Sequence, residues 1–312
     1  MIINTGARTD IPSFYSKWFL NRIEEGYAYS RNPFAKENVY RLSLKPEDVD
    51  CMLFCSKNYQ PMLKHMGKID ETYNILCNYT ITAYGKDIEP KVPTIGQSIK
   101  TLEKLSDIVG SNKVLWRYDP ILLTEKYTVE RHLETFEYLA ERISPLVYRC
   151  IFSFVDMYRK VEDNMPEIIP FTDDDKERLL KGIGEISKEH NLYTQTCATN
   201  ESYEKYNIHD SGCTTREILQ QAHNVVYKNV KGTGIRDNCH CIPSRDIGAY
   251  NSCLNECKYC YANRKPDIPK KVIKLHDEES PLLLGHLKEK DNLTETEVIS
   301  YIEPEQTTLF DF

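Results

Sequence analysis

Val114-Leu115-Trp116-Arg117-Tyr118-Asp119-Pro120 starts as an apolar, strand-like run and ends in two opposite charges and a proline. The same design recurs along the chain. Segments 1–4, 51–55, 73–82, 114–117, 147–154 and 192–196 are apolar and rich in strand-forming residues. Between and after them, 13–25, 61–66, 95–109, 129–143, 174–190 and 215–221 space their apolar residues as helices do. Strands alternating with helices build β/α units with parallel pairing. The expected fold is therefore α/β, a TIM-like full or partial (β/α) barrel. Residues 1–230 would form the barrel-like domain, 231–265 a cysteine-rich cluster segment packed on its mouth, and 266–312 a polar, loosely packed C-terminal extension.

Barrel enzymes carry their chemistry at the C-terminal ends of the strands, and each predicted strand here ends in polar groups. The tips carry Arg8-Thr9-Asp10, Ser56-Lys57-Asn58, Thr80 with Thr82 and Tyr84, Arg117 with Asp119, Ser153 with Asp156, and Thr196-Cys197. Arg8, Asp10, Arg117 and Asp119 are the candidate catalytic residues. Simpler roles compete for two of them: Asp10 before Ile-Pro has the form of a helix N-cap, and Asp119 before Pro120 that of a turn start.

The 312-residue, 36.4 kDa chain is 40% hydrophobic and 28% charged, with a net charge of −7. It has no apolar run of the ~20 residues that a membrane span needs, so no membrane partner is expected. Its first residues lack the basic start and apolar core of a secretory signal, which points to the cytoplasm. Thiols stay reduced there, so eleven cysteines argue for metal ligation rather than disulfides. The acidic balance gives no general attraction to nucleic acid, although a local basic surface would be invisible in the total.

Seven of the eleven cysteines fall between positions 197 and 260. Cys253, Cys257 and Cys260 form C-x3-C-x2-C, three thiolates that can hold three irons of a [4Fe–4S] cube and leave the fourth uncovered. Ordinary electron-transfer clusters take four cysteines. Zinc also binds closely spaced thiolates, but its sites are usually built from two paired knuckles. Cys197, Cys213, Cys239 and Cys241 remain as a set of four for a second, fully ligated site; the competing role for Cys197 and Cys213 is that of small apolar fillers. Arg236 and Arg245 flank the cysteine loop, where a guanidinium could oppose cluster charge or hold a cofactor carboxylate. Surface charge is the plainer role for both.

The triplet resembles the cysteine motif of the radical S-adenosylmethionine (SAM) enzymes, including the aromatic residue, here Tyr259, before the third cysteine. That resemblance implies SAM bound to the open iron, reductive cleavage of SAM to a radical that takes hydrogen from the substrate, and a reductant such as flavodoxin or ferredoxin. In those enzymes the motif follows the first barrel strand, whereas here it follows the sixth. A ring of strands tolerates such permutation.

Nearly the whole chain is similar to a bacterial and archaeal family of unknown function, DUF1848. The similarity rests on Arg8-Thr-Asp-Ile-Pro12, Arg31-Asn-Pro-Phe34, Ser43-Leu-Lys-Pro-Glu-Asp-Val-Asp50, Gly85-Lys-Asp-Ile-Glu-Pro90, Trp116-Arg-Tyr-Asp-Pro120, Ser153-Phe-Val-Asp156 and the segment from Cys239 to Asn263. It implies an iron–sulfur protein. The chain departs from the family pattern at Gly6-Ala7, and at Thr199 where an acidic residue would follow Cys197-Ala198; the second leaves no ground for an acidic role there. Gln306-Thr307-Thr308-Leu309-Phe310 resembles the short peptides that dock bacterial repair proteins on the DNA sliding clamp, with Gln supplying directional bonds and Leu and Phe filling a pocket. The other role for this tail is to pack on its own domain. The leading expectation is a radical-SAM-like enzyme with one or two clusters and a substrate linked, through that tail, to nucleic acid. A non-SAM electron-transfer protein, with Cys239 or Cys241 closing the cube, and a zinc-binding module recruited by the tail are the alternatives.

Overall fold

A computed structural model describes residues 1–199, 201–230 and 239–304. Arg236 and the Gln306–Phe310 tail lie outside the described residues. In chain order the strands are β1 (Ile2–Asn4), β2 (Tyr27–Arg31), β3 (Asn38–Ser43), β4 (Cys51–Ser56), β5 (Ile75–Thr80), β6 (Val114–Ile121), β7 (Arg149–Phe154), β8 (Thr194–Thr196), β9 (His209–Asp210), β10 (Arg245–Asp246) and β11 (Asn292–Glu295). The α-helices are α1 (Ile11–Phe14), α2 (Ser16–Glu25), α3 (Leu63–Thr72), α4 (Ile95–Val109), α5 (Val129–Ile143), α6 (Arg159–Asn164), α7 (Asp173–Glu189), α8 (Arg216–His223) and α9 (Ile268–Val272).

Eight strands form one parallel sheet in the order β10-β1-β4-β5-β6-β7-β8-β9. All six expected strands are in it. Among the described residues no pairing joins β10 to β9, so the α/β class with parallel strands stands and closure into a barrel is not shown. The two-residue strands β9 and β10 carry too little pattern to be read from sequence.

Register explains the apolar runs. Met52, Phe54, Ile75, Cys77, Val114, Trp116, Cys150 and Phe152 pack on one face against Leu102 and Leu105 of α4, Phe136 and Leu139 of α5, and Leu179 and Ile183 of α7. Ile2, Cys51, Leu53, Leu76, Leu115 and Ile151 pack on the other against Ile218, Leu219 and Ala222 of α8, with Tyr227. A parallel sheet covered on both faces reads as near-continuous apolar sequence. The helices α4 and α5 start at Thr94 and Thr128, whose hydroxyls cap backbone N–H groups of the first turn.

The α8 segment sits at the start of the strands. His223 Nε2 lies 2.8 Å from the Ile75 carbonyl and the Tyr227 hydroxyl donates to that of Asp50 at 3.1 Å, both at strand beginnings. The opposite, C-terminal end of the sheet is left to the cysteine loops.

A second sheet, β11-β3-β2, was not expected. Through it the C-terminal stretch, expected to be loose, is tied to the N-terminal part: β11 pairs with β3, Arg31 grips both Asp291 oxygens at 2.6 and 2.7 Å, and the Trp18 indole donates to the Ser280 carbonyl at 2.7 Å. Polarity suggested looseness because these ties are hydrogen bonds and ion pairs, which leave no apolar periodicity.

Candidate metal centre

Cys253, Cys257 and Cys260 lie in the loop that follows β10, folded across the tips of β1, β4 and β5. The loop is clamped residue by residue. Lys91 N–H donates to the Asn255 carbonyl at 3.2 Å, Lys258 N–H to the Ile88 carbonyl at 3.1 Å, and the Tyr15 hydroxyl to the Ser252 carbonyl at 2.7 Å. Within the loop, Cys260 N–H closes on the Cys257 carbonyl at 3.2 Å and Asn263 Nδ2 on that of Cys253 at 2.8 Å. Asn263 Oδ1 is buried without a partner among the described residues. The three thiols are near enough for Cys260 to raise the pKa of both Cys253 and Cys257. Burial is the larger cause, pushing all three up, with Asp10 adding for Cys253 and Glu89 for Cys257.

Asp10 is central to this clamp. Its Oδ1 accepts from Ser13 N–H at 3.1 Å and the Ser56 hydroxyl at 2.6 Å, and its Oδ2 from Lys57 N–H at 3.0 Å and Asn255 Nδ2 at 2.9 Å. The N-cap role weighed in the sequence is present, at the start of α1. Burial pushes its carboxyl above the usual value against those donors.

Cys197 leaves the tip of β8, Cys213 follows β9, and Cys239 and Cys241 lead into β10. The Sγ atoms of Cys213 and Cys241 are 3.3 Å apart. Cys197 is in hydrogen-bond reach of both, and Cys239 of Cys241, so all four gather at one place. Two features bring these loops together. A Cβ on Gly212 would stand 2.9 Å from Cys241 N and His240 C, so only glycine allows the approach. Behind it, Arg149 donates to Gln195 Oε1 at 2.6 Å and Gln195 Nε2 to the Gly212 carbonyl at 2.8 Å, fixing the Cys213 loop to the sheet.

Arg117 stands beside the four-thiol group and Cys55. Its NH2 donates to Asp119 Oδ2 at 2.7 Å, and the Ser153 hydroxyl donates to the other oxygen. Arg117 also hydrogen-bonds Cys213, whose thiol is held well below its usual value by Cys197 and Cys241 first and by Arg117 as well. Burial alone would lower the guanidinium's pKa, but Asp119 and the thiols of Cys213, Cys55 and Cys197 raise it well above normal.

The four candidate catalytic residues thus divide. Arg117 and Asp119 form a pair facing the four-thiol group, Asp10 serves the triplet loop, and Arg8 turns to Asp246 at 3.8 Å and the Ser30 hydroxyl at 3.3 Å. Arg245 is exposed, and its backbone supplies the edge strand. The sequence reading missed a buried network beside Cys257: Glu89 Oε1 accepts from Lys57 Nζ at 2.8 Å, Thr82 Oγ1 at 2.8 Å and the Tyr259 hydroxyl. Glu89 stands in the Gly85–Pro90 motif, the only signal that could have marked it. Cys55, too, was not singled out; burial pushes its thiol up to about 11, while the nearby Arg117 pulls the other way.

Thiols are the donor type that a sulfur-ligated metal takes. Among the described residues no group of three or more His, Cys, Asp or Glu side chains stands in ready coordination geometry.

The profile of a domain of unknown function, DUF1848, matches residues 2–262. The chain belongs to this family. The DUF1848 match takes in the eight-stranded sheet and both thiol groups, and leaves out α9 and β11. No curated protein and no solved structure matches the chain.

Proposed function

We propose that the protein is a radical-SAM-like iron–sulfur enzyme whose active centre is the Cys253, Cys257 and Cys260 triplet. The observation that carries this reading is the position of β10. Late in sequence, it is an edge strand of the sheet beside β1, and the triplet loop follows its C-terminal end. In the enzymes that the motif resembles, the cysteines follow the first strand, so a permuted chain whose edge strand beside β1 comes last would give this position. A [4Fe–4S] cluster bound there with SAM would supply reductive cleavage of SAM and removal of a substrate hydrogen atom. The protein's own part is position and exclusion of water. Asp10 and Asn255 hold the loop, Lys57 brings positive charge beside Cys257, and the Arg117–Asp119 pair orients groups at the mouth. Cys197, Cys213, Cys239 and Cys241 would hold a second, fully ligated cluster. A reductant of the flavodoxin or ferredoxin kind is the partner this reading requires.

Zinc is a second reading for the four-thiol group alone. Tetrahedral zinc with bonds of about 2.3 Å sets its sulfurs about 3.8 Å apart, and the Cys213 and Cys241 sulfurs are already in contact.

The test is anaerobic purification with iron, sulfide and zinc analysis, followed by SAM and a strong reductant. Iron and sulfide at roughly four each per cluster are expected, with release of 5′-deoxyadenosine. Replacing Cys253, Cys257 or Cys260 with Ala should abolish that release; replacing Cys213 should remove a separate metal or spectroscopic signal. A fully loaded protein that neither binds nor cleaves SAM sinks the enzyme reading in favour of electron transfer.

A further inference from the structure

Beside the triplet a cleft of about 540 Å³ is lined by Tyr158, Arg159, Lys160, Asp163 and Asn164 from the start of the β7–α7 connection and by Arg264 and Lys265 from the chain just after Cys260. Four cations face one carboxylate there, in a chain whose net charge is −7. None of the four makes an ion pair among the described residues, whereas their neighbours do: Lys258 meets Glu167 at 3.9 Å and Lys270 meets Glu256 at 2.9 Å. The cleft's two walls are joined, since Asn164 Nδ2 donates to the Arg264 carbonyl at 3.5 Å. Its second wall, Arg264 and Lys265, begins four residues after Cys260 in the chain. Tyr158 contributes a ring that is 42% exposed, with Lys160 Nζ 6.0 Å from its centroid and Met157 beside it at 47%.

Cations without an ion-pair partner among the described residues, gathered in a groove, hold a polyanion, and an exposed ring among them offers a stacking surface for a base. That combination is how single strands are gripped without sequence readout. We propose that this cleft is the docking channel for a single-stranded nucleic acid, with its phosphates on Arg159, Lys160, Arg264 and Lys265 and a base on Tyr158. The assignment rests on the proposed function, for it names the substrate class of the triplet site, but strand binding can be measured without turnover.

The experiment is fluorescence anisotropy of a labelled 12-nucleotide single strand, DNA and RNA in turn, titrated with the anaerobically purified full chain across a series of salt concentrations. Four phosphate contacts predict a slope of log K against log salt of roughly −3. Removing one pair, as Arg159→Gln with Lys160→Gln or as Arg264→Gln with Lys265→Gln, should reduce that slope by about 1.4 and weaken binding roughly 25-fold at 0.1 M salt. Tyr158→Ala should cost roughly fivefold or more with the slope unchanged. The control Lys100→Gln with Lys104→Gln, on α4, should change neither. The proposal is overturned if the paired variants keep the wild-type slope, if the control loses as much as they do, if duplex binds more tightly than single strand, or if a mononucleotide or inorganic phosphate competes as well as the strand. Strand binding in a loaded preparation that cannot cleave SAM would remove the proposed function and leave the channel; SAM cleavage without strand binding would do the reverse.

Discussion

Replacing Asp10 with Ala should loosen the triplet loop without touching a thiol. The substitution leaves three N–H donors without their acceptor, the buried Ser13 N and Asn255 Nδ2 and the partly buried Lys57 N. The Ser56 hydroxyl loses less, since Ser13 Oγ stands 3.2 Å away as a second partner. A buried donor left unpaired costs about 1–3 kcal/mol, and loss of the N-cap is already counted in the Ser13 bond. Removing a buried charge gives some of this back, because burial opposes ionisation of Asp10. The net expectation is a loss of about 3–5 kcal/mol, a large share of the stability of an ordinary domain. Asp10→Asn keeps one acceptor oxygen and sets an amide N–H against the remaining donors, so it should cost about half as much. Urea denaturation midpoints at unchanged m-value read the stability. Iodoacetamide labelling of the metal-free protein, followed by mass spectrometry, reads the loop. Cys253, Cys257 and Cys260 should label at least tenfold faster in the Ala variant, if loosening costs the loop ~1.4 kcal/mol or more of protection, while Cys77 and Cys150 in the sheet should not. A variant within 1 kcal/mol of wild type, with unchanged labelling of the triplet, would refute the clamp.

Three further outcomes follow from buried groups. Burial lowers the pKa of His132 from 6.5 to about 4, so its contribution to stability is complete above pH 6.5 and is lost as the pH falls toward 4. That amounts to about 3 kcal/mol, and the gap between wild type and His132→Gln in denaturation at pH 7 and at pH 4 should shrink by that amount. Gly184→Ala would place a Cβ 1.8 Å from the Tyr206 carbonyl oxygen; the forced shift should cost at least about 1–3 kcal/mol, and a neutral result in the same assay would contradict the packing of α7. Arg117→Met removes the cation shared by Asp119 and Cys213. If the proposed function holds, it should slow substrate turnover while background SAM cleavage at the triplet persists, and an unchanged rate would show that the pair does not face the substrate.

Much of this architecture was legible in the chain itself. The helices at 95–109 and 129–143 agree residue for residue with α4 and α5, because amphipathic spacing and a threonine cap are local signals. The six main strands were visible since a doubly covered parallel sheet demands continuous apolar runs. The division of seven cysteines into a triplet and a remaining foursome is an expectation from spacing; what the fold adds is the 3.3 Å approach of the Cys213 and Cys241 sulfurs.

What spacing could not contain was partnership across long separations. Asp10 and Asn255 are 245 positions apart, and Lys57 and Glu89 have no pattern that links them until β4 and β5 lie side by side. The edge strand β10 is two residues long, too short for any periodicity, and its pairing with β1 exists only because the chain returns to that edge. The basic cleft is assembled from two segments about a hundred residues apart in a chain that is acidic overall. Local sequence sets which backbone conformation each segment prefers, through periodicity, caps and turns. Which polar groups meet is set by burial of the two sheet faces, which brings the strand tips to one end of the molecule and leaves each buried donor there to find whatever acceptor the fold delivers.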